Sequence, residues 1–262
     1  MRVTQAKKAR WFRDGGSGES PAGVPSARLN TMNAEIPHLL DTLDARFNRT
    51  ILLRCKELIE YDSPEHPFWH LNVFIGIAHE TLKMQFHLKR AYKERELNYL
   101  AWAARNLLEL RIWSMYVAKS EQNAWRFHQD QFIDGLTSVR SMEKAADKVG
   151  RAADAEFLRL NAAALRAKLK PLADNAGVTE ANKYLSPKLV AKELDIAGEF
   201  DVHNTITSKL LHATGFSVLV AGDEVSTTST MDSCFAYAAS NGLSILDKLN
   251  AHMKSLCLPT FG

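Results

Sequence analysis

The chain reads as an all-α protein, an antiparallel bundle of about six or seven helices. Three observations carry that expectation. Apolar residues recur at spacings of three and four almost without interruption from Asn33 to Leu256. Turn formers are scarce, with 13 Gly and 8 Pro in 262 residues, and several of them fall in one N-terminal segment. No stretch alternates apolar and polar residues between hairpin turns. A chain of this length can bury a sizeable core, and 46% hydrophobic residues place it with globular proteins.

Residues 1–31 stand apart and are read as a disordered basic tail and linker. A short basic stretch holding Trp11 and Phe12 precedes Asp14-Gly-Gly-Ser-Gly-Glu-Ser-Pro-Ala-Gly-Val-Pro25, a flexible composition. The segment reads as an unordered extension, or as translation upstream of a start at Met32. Residues 32–262 are read as one helical domain. The first helix runs from Asn33 to Tyr61, carried by Leu39, Leu43, Phe47, Ile51, Cys55 and Leu58. Asp62-Ser-Pro-Glu-His-Pro67 breaks it. A second helix spans Phe68 to Tyr92 and a third Glu94 to Ala118. Ser120 is the N-cap of a fourth reaching Val149, and Gly150 separates it from a fifth, Ala152 to Ala173, which Pro171 kinks or ends. Ser186-Pro187 starts a short helix through Leu194. A sixth long helix runs from Glu199 to Val220, Gly222-Asp223 forms a turn, and a seventh covers Thr227 to Leu256.

The third helix is apolar on nearly every side, which marks it as central. Arg105, Glu109 and Tyr116 share one narrow face of it, flanked by Trp102 and Trp113. Charges on such a helix need compensation. Asn204, Ser208 and His212, with Lys209 beside them, form a second polar face four residues apart. If the two helices are neighbours, Glu109, Arg105, Tyr116, Ser208 and His212 join one network. Loss of Glu109 would then cost roughly 3–5 kcal/mol in a dry site.

Charge and chemistry narrow the function classes. The net charge is +3, but residues 1–31 hold six basic and two acidic residues, so the remainder, with 27 basic and 28 acidic, is close to neutral. A neutral body gives no general support to nucleic-acid binding, although RNA stays open as a partner. Cys55, Cys234 and Cys257 have no metal spacing and read as reduced thiols in a cytoplasmic protein. No apolar run is long enough to span a membrane, and no secretory signal is evident. Nine histidines give only Glu35-x-x-His38 at di-metal spacing, beside Pro37, so no metal and no cofactor are expected. P-loop, GxGxxG, HExxH and GxSxG patterns are missing. Ser208 and His212 lack the strained turn and oxyanion hole of a hydrolase.

Arg105-Asn-Leu-Leu-Glu109, Trp113, Tyr116, Asn123-Ala, Phe127, Asp130 and Asp134, followed by Ser208-Lys-Leu-Leu-His212-Ala-Thr214, resemble an uncharacterised family of all-helical bacterial proteins over roughly residues 95–220. More distantly, the helical pattern ending in His resembles the higher eukaryotes and prokaryotes nucleotide-binding (HEPN) superfamily. That resemblance implies metal-independent ribonucleases, or their inactive relatives, in toxin and phage-defence systems. Their motif is an Arg, four to six residues, then a His. His212 matches the His, but Ile206, Thr207 and Ser208 stand where the Arg would be, and Lys209 lies closer. Two expectations follow. One is a non-catalytic binding or interaction module, as a homodimer or with a protein partner, in a bacterial stress, toxin or defence setting. The other is a ribonuclease in which His212 acts as general acid/base, with Arg105 or Lys209 stabilising the transition state and Glu109 beside them.

Overall fold

A computed structural model describes residues 26–61, 68–176, 185–212 and 223–261. The helices among them are α1 (Ser26–Arg46), α2 (Arg49–Ile59), α3 (Phe68–Lys93), α4 (Leu97–Val117), α5 (Glu121–Lys148), α6 (Ala152–Ala176), α7 (Pro187–Glu193), α8 (Ala197–Leu211) and α9 (Glu224–Ser255). No strand occurs among the described residues. The helix expected over Asn33–Tyr61 is two helices. Asn48 breaks it, because its side chain caps α2 by accepting from the Thr50 N–H at 2.8 Å. Helix α1 also begins inside the stretch read as tail, at Ser26. Residues 1–25, and with them Trp11 and Phe12, lie outside the described residues.

Local signals fix several ends. Ser120 accepts from the Asn123 N–H at 3.1 Å to start α5. Gly150, at φ 75°, supplies the left-handed turn after α5. Helix α6 continues through Pro171 to Ala176. Helix α8 stops at Leu211 rather than Val220, with His212 extended at φ −99°, ψ 148°. The proposed turn at Gly222 falls partly outside the described residues.

Helix α4 is the centre, packing on α3, α5, α7, α8 and α9. Leu100, Ala103, Ala104, Leu107, Leu108 and Ile112 are all sealed from solvent, as expected of a helix apolar all round. Side-chain contacts between the helices fix their directions. Arg105 meets Ser208 while Arg111 meets Glu199, so α4 and α8 run antiparallel. Tyr92 bonds Asp232 and Gln85 abuts Gly242, so α3 and α9 are antiparallel too. Arg95 bonds Thr228 and Arg111 bonds Asn241, so α4 and α9 run parallel. The bundle is thus all-helical but of mixed direction. Buried hydrogen bonds tie the loops down: Asp130 accepts from the Leu185 N–H and Asn250 from the Phe261 N–H, each at 2.8 Å.

Candidate functional site

Two arginines on α4 reach across to α8. Arg105 donates from Nε to Glu109 Oε1 at 3.3 Å and from Nη1 to Ser208 Oγ at 3.1 Å. The two motifs therefore meet at Arg105, Glu109 and Ser208. The pair is not dry, however: the Arg105 and Glu109 side chains are 36% and 31% exposed. A pair that wet is worth far less than a buried one.

Tyr116 does not join them. It shares the helical face but lies eleven residues from Arg105, roughly 16 Å along the axis. It is buried elsewhere, its carbonyl accepting from Asn123 Nδ2 at 3.1 Å. Burial pushes its phenol up, against the nearby Arg126. His212 caps α8, donates its backbone N–H to the Ser208 carbonyl at 3.2 Å and is exposed, because the chain leaves helical geometry there. Lys209 is exposed on the same turn. Asn204 holds a buried Oδ1 with no hydrogen-bond partner among the described residues.

The denser polar cluster is about two turns further along the seam. Arg111 pairs with Glu199 and donates to Asn241 Oδ1 at 3.1 Å. Tyr237 of α9 donates to Glu199 Oε1 at 3.1 Å. The His203 ring lies flat on Tyr237, with centroids 3.3 Å apart and planes within 8°. Burial works against ionising Glu199, but the Arg111 guanidinium and the Tyr237 hydroxyl outweigh it and hold its pKa below the usual carboxylate value. Burial lowers the His203 pKa, with Glu199 opposing. Burial, with the Glu199 charge, pushes the Tyr237 phenol up to about 12.

A pocket of about 290 Å³ opens beside this cluster between α4, α8 and α9, walled by His203, Tyr237, Thr207, Ser229, Ser233 and Cys234. Burial pushes the Cys234 thiol up to about 12, which disfavours the thiolate. The phenol is protonated as well. Among the described residues no group of three His, Cys, Asp or Glu could hold a metal ion. No described helix is long and apolar enough to cross a membrane.

Sequence reasoning missed Arg111, Glu199, His203 and Tyr237. A signal was present: Glu199, His203 and Thr207 repeat every four residues along α8, a polar stripe next to the one formed by Asn204 and Ser208. Comparison with protein-family models, with curated proteins and with solved structures gives no match.

Proposed function

We propose that this protein is a non-catalytic helical binding module of HEPN-like character, working through a protein partner in a bacterial stress, toxin or defence setting. One observation carries the non-catalytic reading. The charged side chains along the α4–α8 seam are engaged with each other and with neutral partners: Arg105 with Glu109 and Ser208, Arg111 with Glu199 and Asn241. They tie α4 to α8 and α9. The candidate nucleophiles of the adjoining pocket, Cys234 and Tyr237, are held protonated. The setting rests on the sequence resemblance, and a cytoplasmic location on three thiols that form no disulfide.

A second reading, a metal-independent ribonuclease, is favoured by one contact. Arg105 touches Ser208, one turn before the exposed His212, so a guanidinium and an imidazole lie near one end of α8. Incubating the purified protein and its His212→Ala variant with end-labelled RNA separates the two. The binding reading expects the same intact RNA in both. Cleavage by the parent that His212→Ala abolishes would establish the second reading instead.

A further inference from the structure

A groove of about 420 Å³ runs between α2 and α3. Its floor is apolar, made by Phe47, Leu52, Leu82 and Phe86. Its rim is cationic, made by Arg49, Lys83 and Lys89, and no carboxylate lines it. Phe86 is 62% and Leu52 38% exposed. The apolar strip continues over α3 onto α4 through ring contacts: Phe86 to His87 at 6.0 Å, His87 to Trp102 at 5.4 Å and Trp102 to Tyr99 at 6.5 Å. Tyr99 is 61% exposed. Exposed apolar side chains in a continuous strip bounded by charge mark a surface that another molecule covers.

We infer that this groove is a docking site for an acidic amphipathic helix of a partner protein. The inference rests on the binding-module reading and names its partner class. Charge complementarity selects the occupant. Lys83 is paired with Glu80, and Lys89 with Asp44, but neither carboxylate lines the groove. The Lys83–Glu80 pair is exposed and therefore weak, so a carboxylate on a docked helix can share its ammonium group, whereas Lys89, with its side chain 16% exposed, stays with Asp44 and adds its charge to the rim. Arg49 makes no ion pair among the described residues. The protein's own N-terminal segment is the wrong occupant: residues 1–25 hold five basic residues against Asp14 and Glu19.

Geometry sets the length. Three adjacent helices at 8–10 Å spacing make a strip of roughly 20 Å, which about 13 residues of helix span at 1.5 Å each. Apolar anchors at i, i+4, i+7 and i+11 would then meet the strip, with Glu or Asp toward the rim. A single-stranded nucleic acid fits less well. Leu52 and Leu82 offer bases no stacking face, and Trp102 packs edge-on against His87 and Tyr99, at 75° and 77°.

The test is fluorescence anisotropy of the full-length protein with a labelled designed helix carrying leucine at those four positions and glutamate elsewhere. Binding in the micromolar range that weakens with salt is expected. Phe86→Asp should weaken it by at least about tenfold. Because Phe86 is mostly exposed, that variant should melt with the parent; if it does not, Leu52→Asn gives the same reading. A peptide with lysine in place of glutamate should bind at least about tenfold more weakly. Equal binding of the lysine peptide, equal binding by the groove variants, or no binding would overturn the inference. So would tighter binding of labelled oligouridine, or a parent dimer that the groove variants dissociate. Failure here with intact RNA in the cleavage assay removes the groove alone, whereas RNA cleavage removes the binding-module reading itself.

Discussion

Replacing Glu199 by alanine removes the acceptor that joins Arg111 of α4 and Tyr237 of α9 to α8. It leaves the Arg111 guanidinium with Asn241 as its one hydrogen-bond partner among the described residues, and its Nε is already buried without one. Breaking a fully dry ion pair costs about 3–5 kcal/mol. Here the Arg111 side chain is 20% and the Glu199 side chain 35% exposed, so water recovers part of that. We expect about 2 kcal/mol, which lowers Tm by roughly 4–8 °C in a chain of this size. Glu109→Ala should cost under about 1 kcal/mol, because its pair is wetter. Urea unfolding followed by far-UV circular dichroism measures both. A double-mutant cycle with Arg111→Met and Glu199→Met isolates the pair, and its coupling should exceed about 1 kcal/mol. If Glu109→Ala proved the more costly, or if Arg111 and Glu199 were additive, the ranking of the two pairs would be wrong.

Three further outcomes follow from the same structure. Gly242→Ala should destabilise by about 1–3 kcal/mol, because a Cβ there overlaps the fully buried Gln85 amide, and chemical denaturation with no loss would contradict that packing. Burial lowers the folded-state pKa of both His203 and His128, so the unfolded chain binds the extra protons first; stability should be full above about pH 6.5 and fall as pH drops below it, and His203→Gln with His128→Gln should flatten that fall in a pH series of melts. Arg105→Met should change Tm little, under about 1 kcal/mol, and a loss as large as that of Glu199→Ala would mean the Arg105 site is drier than its exposure indicates.

How much was legible in the sequence differs between levels. Helical periodicity marked the long helices, and the all-round apolar character of Leu97–Val117 marked the central one, because both are properties of one segment. The split at Asn48 was missed because the apolar spacing continues straight across it from Phe47 to Ile51, and a cap is a local hydrogen bond that periodicity ignores. The parallel pairing of α4 with α9 was not legible, since chain order alone implies only that sequence neighbours run antiparallel. The contact of Arg105 with Ser208 was anticipated from two polar faces seeking partners. Tyr116 was misplaced because a shared helical angle says nothing about height along the axis, and periodicity likewise carried the helix past its end at Leu211. Arg111 and Glu199 went unnoticed because the Arg105 and Ser208 motifs drew attention to a neighbouring stripe.

Amide hydrogen exchange along α8 tests most directly whether the polar seam holds the helices together. This helix contacts the body through α4, α7 and α9, and Ser208, Glu199 and His203 supply its polar ties. With Glu199→Ala, protection of the Ala197–Leu211 amides should fall while that of the α3 core, around Phe74 and Leu88, stays as in the parent. Unchanged protection of α8 would contradict the account and leave these charges available for chemistry.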